Sequence, residues 1–164
     1  MGSRDAKTIS SDAAWRVILA LWVCFIWGHS LVSGPDSSIE SLRFVALFEP
    51  AFRMLGVTDA STMNFVVRKV GHFSEHLVLG LLCVRVFRSR LDCALISGGH
   101  AAWRAFWPIL AICIVVPLVD ESIQIFTPGR CSSFFDSLLD MCGAAAGIAV
   151  GTILLRHFKK RLRS

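Results

Sequence analysis

The chain has 164 residues, of which 54% are hydrophobic and 18% charged, and its mean hydropathy is +0.61. A soluble domain of this length exposes more charge, so the composition points to the membrane, and ~20 residues per span leave room for one small bundle. The net charge of +5 follows the ends of the apolar segments rather than one basic face, which excludes nucleic acid as the partner.

Residues 1–12 read as a polar tail. A first span follows over 13–31, with Trp15 at the headgroup level. It reads as a retained span rather than a cleaved leader, because it is rich in Trp. The connector 34–67 is long. Within it, residues 38–56 mix Ile39, Leu42, Phe44, Leu47, Phe48, Phe52 and Leu55 with Glu40, Arg43, Glu49 and Arg53. That pattern predicts an amphipathic segment on the outer leaflet, broken at Pro50. A second span is predicted over 68–87, its purely apolar stretch beginning only at Leu77.

The third span covers 105–126, with Trp103 and Trp107 at its start, and Pro117 predicts a kink one turn before Asp120. Thr127-Pro128-Gly129-Arg130 reads as a turn. The fourth span covers 134–155, and the basic tail 156–164 suits anionic lipid. Six cysteines are scattered without a Cys-x-x-Cys pair, so neither a disulfide framework nor a zinc knuckle is expected, and Cys24 and Cys113 are expected to pack as small hydrophobes. The fold class is therefore all-α: a polytopic membrane helical bundle of about four spans plus the amphipathic segment, its membrane domain covering 13–155.

Charge fixes an expected orientation. With four spans, the two termini and the middle loop share one side, which holds twelve bases and three acids, against five bases and nine acids opposite. Bases stay in the cytoplasm, so a multi-pass cell-membrane protein with both termini cytoplasmic is expected.

Under this topology three segments bring ionisable groups to one outer depth. The second span contributes Lys69, His72, Glu75 and His76; the third ends in Asp120, Glu121 and Gln124; the fourth opens with Asp136 and Asp140, and Arg130 lies on the turn between. Ionisable groups at membrane depth usually mark a site. Asp136 and Asp140 continue into Gly143, Gly147 and Gly151, a small-residue stripe along which another helix can approach.

Arg68-Lys69-x-x-His72-Phe73-x-Glu75 with Leu79-Gly80, then Asp120-Glu121-x-x-Gln124-x-Phe126-x-Pro128-Gly129-Arg130 with Ser133, Asp136, Asp140 and Gly143, resembles the two signatures of VanZ-like membrane proteins. The chain departs from the usual pattern at two positions, with His76 where Tyr is usual and Asp140 where Asn is usual. The resemblance implies an accessory membrane protein associated with teicoplanin-type glycopeptide resistance.

The expected function is an outward-facing polar cleft that binds an envelope lipid headgroup or a glycopeptide. Lys69 and Arg130 would hold an anion, His72 would donate, and Glu75, Asp120, Glu121, Gln124, Asp136 and Asp140 would orient them. Partners would be membrane lipids, with a lipid-linked envelope precursor or glycopeptide as ligand. One alternative is a membrane hydrolase or transferase acting on lipid-linked phosphate, with His72 and Glu75 as acid and base. Another is a structural role, with a second membrane protein packed on the fourth span. Neither cofactor nor metal is expected: His72-Phe73-Ser74-Glu75-His76 spells an inverted zinc-protease motif, but it depends on His76, a position the family usually fills with Tyr.

The orientation is tested by labelling intact cells with an impermeant thiol reagent. Cys131 should react and Cys93 should not; the reverse pattern would overturn the shared outer site.

Overall fold

The computed structural model describes residues 2–97, 99–130 and 132–161; Cys131 and the side chain of Cys93 lie outside the described residues. These form six helices and no strand: α1 Gly2–Ser30, α2 Gly34–Met54, α3 Ala60–Val86, α4 Arg88–Ser97, α5 Gly99–Phe126 and α6 Phe134–Arg161. Three of them are long and apolar enough to cross a membrane, over Asp12–Ser30, Trp103–Phe126 and Phe134–His157. α3 has the length, but Arg68, Lys69, Glu75 and Arg85 keep it outside that set.

The connector 34–67 is mostly helix. The Ser33 hydroxyl accepts from the Asp36 backbone N–H, and Pro35 lies in the first turn of α2, where its missing N–H costs nothing. α2 then continues through Pro50 instead of breaking there. Most of its apolar side chains, among them Ile39, Leu42, Phe44, Leu47 and Phe48, are not covered by protein. Pro50 forgoes one backbone bond, and its neighbours do not depend on a packed face that a bend would disrupt. The Asp59 carboxylate caps α3, eight residues before the predicted start of the second span, by accepting from the Thr62 backbone N–H. The Ser61 and Thr62 hydroxyls add two more bonds and hold that carboxyl well below its usual range, so the cap stays ionised in acid. α5 likewise runs unbroken through Pro108 and Pro117.

The apolar core lies between α1, α3, α5 and α6 and includes Leu19, Ile26, Leu79, Cys83, Val84, Ile109, Cys113, Val116 and Ala144. Cys113 packs there, whereas Cys24 is exposed on α1.

α3 and α6 pack most closely of all. A Cβ on Gly143 would strike the Phe73 carbonyl, one on Gly147 the Leu77 carbonyl, and one on Gly80 the Ala144 carbonyl. Gly151 meets the Val84 side chain, with 3.1 Å from its ideal Cβ position to Val84 Cβ. The glycine stripe of the fourth span is thus covered by α3 of the same chain.

Gly147→Ala should therefore destabilise the protein in detergent, by ~1–3 kcal/mol as for other overpacked contacts. Gly28→Ala, with nothing within 4 Å of the added carbon, should be neutral or gain up to ~1 kcal/mol. Equal thermal midpoints for the two variants would show that the seam does not govern stability.

Candidate functional site

The C-terminal ends of α1 and α5 and the N-terminal halves of α3 and α6 meet at one end of the bundle. Two turns join them. Thr127 donates its hydroxyl to the Ser30 carbonyl at 3.0 Å, and the Gly34 N–H donates to the Pro128 carbonyl at 3.0 Å. Gly129 has φ +72°, a left-handed conformation that suits glycine, and its backbone lies directly against Gly34.

Arg130 completes this junction. Its Nε donates to the Val32 carbonyl at 3.0 Å and its Nη2 to the His29 carbonyl at 2.9 Å. The Val32 carbonyl lies just past the end of α1, and the His29 carbonyl in its last turn otherwise accepts only from the Val32 N–H at 3.2 Å. Arg130 is 8% exposed and makes no ion pair with the predicted acids among the described residues. Its guanidinium caps a helix and ties α1 to the α5–α6 turn. Glu121 serves the same turn from α5, accepting from the Ser132 hydroxyl at 2.7 Å and the Ser133 N–H at 3.0 Å.

Behind the junction lies a buried polar cluster. Asp120 is fully buried and accepts from the Ser30 hydroxyl at 2.5 Å and from the Gln124 amide at 3.1 Å. Asp140 is also fully buried, and among the described residues neither of its oxygens finds a hydrogen-bond partner. Between the two sits His72, whose Nδ1 is 3.9 Å from Asp120 Oδ2 and 3.8 Å from Asp140 Oδ1. His76, one turn along α3, donates from Nδ1 to the His72 carbonyl at 3.0 Å, with the same nitrogen 3.3 Å from Asp140 Oδ1. The two positions that depart from the VanZ-like pattern, His76 and Asp140, are therefore neighbours across the α3–α6 seam.

Two predicted residues face elsewhere. Lys69 forms an ion pair with Asp136, both about a quarter exposed, and its ammonium lies 5.1 Å from the Phe65 ring centroid. The Glu75 carboxylate bonds His29 Nδ1 at 2.9 Å, on the side of α3 that faces α1. Glu75 therefore does not join His72 as an acid–base pair.

A cleft of about 440 Å³ opens between α1, α2 and α3. Its polar wall carries His29, Glu40, Arg68, His72 and Glu75, and Trp22, Phe25 and Phe44 supply aromatic surface. Trp22 is anchored by a bond from its indole N–H to the Glu75 carbonyl at 3.0 Å. Arg68 is half-buried and makes no ion pair or hydrogen bond among the described residues. A second, apolar groove of about 450 Å³ between α2 and α3, lined by Phe48, Phe52, Leu55, Val66 and Val70, continues from the first and shares Phe44, Val67 and Gly71 with it.

Sequence reasoning missed Ser30, His29 and Arg68. Ser30 and His29 end an apolar span, where polar residues are unremarkable, and Arg68 stands beside the more conspicuous Lys69. The signal available was that His29-Ser30 closes the first span at the same depth as Asp120.

The VanZ/LLP1 family model matches residues 15–155, so the chain belongs to the VanZ-like family. No curated protein and no solved structure matches it. Three apolar helices in a chain of this family make it a multi-pass membrane protein.

Arg130→Ala should lower stability by ~2 kcal/mol or more, because hydrogen bonds from a charged donor are worth ~1.5–3 kcal/mol each. Arg130→Lys should restore only part of that, since one ammonium replaces a planar fork spanning two carbonyls. A folded Arg130→Ala protein with an unchanged thermal midpoint would overturn the helix-capping role.

Proposed function

We propose that this VanZ-like protein binds an envelope lipid carrying a phosphate headgroup, in the cleft between α1, α2 and α3. The observation that carries this reading is the continuity of the two cavities. A polar pocket with an unpaired guanidinium opens into an apolar groove, and the pair matches a headgroup followed by a chain. Arg68 would hold the phosphate, since a guanidinium bonds phosphate through two parallel N–H donors. His29, Glu40 and Glu75 would take hydroxyl or amine groups of the headgroup, and Phe48, Phe52 and Val70 would flank the chain.

The anion-binding role expected of Lys69 and Arg130 passes to Arg68 in this reading. Lys69 is engaged by Asp136 and Arg130 by the end of α1. The charge distribution supports an outward-facing cleft, with α2 lying on the outer leaflet beside it. A lipid-linked envelope precursor fits these chemical terms, and capture of such a molecule is how the protein would contribute to resistance against teicoplanin-type glycopeptides.

Native mass spectrometry of gently extracted protein should find a retained phosphate-bearing lipid. Arg68→Ala should reduce its occupancy ~10-fold or more, the equivalent of one lost charged hydrogen bond. A wild-type protein that retains no such lipid, or an Arg68→Ala variant that retains it fully, would overturn the reading.

A further inference from the structure

The cluster behind the cleft has a chemistry that lipid binding does not use. His72 on α3, Asp120 on α5 and Asp140 on α6 each offer one ligand atom, and these atoms lie within 4.8 Å of one another. We infer that these three residues bind a single divalent transition-metal ion such as Zn²⁺ or Mn²⁺.

Charge alone calls for a cation here. Two wholly buried carboxylates this close cannot both remain ionised without a compensating cation. Lys69 is engaged by Asp136 and Arg130 by the carbonyls at the end of α1, which leaves the imidazoles of His72 and His76 beside the two acids, and the His76 Nδ1–H is given to the His72 carbonyl. Asp120 has only a hydroxyl and an amide as donors. Among the described residues, Asp140 has no hydrogen bond on either oxygen, and His72 Nδ1 is buried with no hydrogen-bond partner. A metal ion at the centre would satisfy all three at once, whereas a proton on His72 Nδ1 would find the nearest carboxylate oxygens 3.8 Å and 3.9 Å from that nitrogen, beyond hydrogen-bond reach.

The spacing of the three ligand atoms suits a metal as well. Ligand atoms held ~2.0–2.2 Å from a metal lie roughly 3–3.5 Å from one another. The His72 Nδ1 separations of 3.9 and 3.8 Å need only a small contraction. One imidazole with two carboxylates suits zinc or manganese, while magnesium and calcium favour oxygen-only shells. Three protein ligands leave a position for water or for an oxygen of a group in the cleft, whose wall His72 shares.

His76 gives the site its support. Its Nδ1 bonds the His72 carbonyl and stands beside Asp140 Oδ1, which steadies both ligands. Asn in place of Asp140 would supply a neutral and weaker ligand, so the metal site belongs to this chain's own departures from the family pattern. The metal-free expectation rests on spacing within one helix, whereas these ligands come from three. The site stands whether or not the cleft takes a lipid.

The test is elemental analysis of the full-length protein, purified in detergent without chelator. The wild type should hold about one zinc or manganese per chain, and the chelated protein should regain thermal stability when either ion is returned. Asp140→Asn keeps the side-chain shape and should lower metal content ~10-fold or more, while Glu49→Gln, on the exposed face of α2, should retain it. A metal-free wild type whose chelated form gives no thermal response to either ion would overturn the site, as would an Asp140→Asn protein that binds as much metal as the wild type. The wild-type measurements decide the matter even if a variant fails to fold. Lipid is measured separately, so its absence from a metal-loaded protein would overturn only the lipid reading.

Discussion

Everything at the polar end of this bundle depends on how closely α3 and α6 approach. Gly80 on one helix and Gly143 and Gly147 on the other let each backbone touch the opposite helix's carbonyls. In hydrocarbon there is little hydrophobic drive between helices, so close van der Waals packing along such a seam supplies much of the association. The same closeness sets the chemistry. Asp140 lies one turn before Gly143, and at this separation its carboxylate must face His72 and His76 rather than water or lipid.

The second constraint is the tie between α1 and the turn that follows α5. Thr127, Pro128, Gly129 and Arg130 read as a loop with a charge to spare, yet every polar group of the turn that bonds outside α5 serves the end of α1 or the start of α2. Buried carbonyls without partners are costly, and a guanidinium is well shaped to serve two of them. This arrangement brings Ser30 onto Asp120 and places His29 against Glu75, so α1 becomes a wall of both the buried cluster and the open cleft.

The two halves of the site differ in their relation to the membrane. The buried cluster is enclosed by α1, α3, α5 and α6, which suits a small ion. The cleft is bounded by α2, a helix whose apolar residues are largely uncovered by protein, which suits a molecule arriving from the bilayer. His72 is common to both. In the proposed reading, a single imidazole separates the place for a charged headgroup from the place for the counter-charge of two acids.

The sequence by itself determined the class of the protein and which ionisable residues gather at one end of the bundle. Long apolar segments can satisfy their backbone only as helices, and acids at the ends of such segments are informative because they are expensive there. The small-residue stripe on the fourth span and the gathering of Asp120 and Asp140 were legible for the same reason. Helical spacing describes one element at a time, and it could not reveal which helix would fill the stripe. Nor could it show that Glu75 would turn to His29 instead of joining His72, that Arg130 would cap α1 instead of meeting the acids, or that Arg68 would be the unpaired base in the cleft. Those outcomes are choices of partner. They were decided by the rotation and separation of packed helices, set by contacts between residues dozens of positions apart, and only the tertiary structure holds that information.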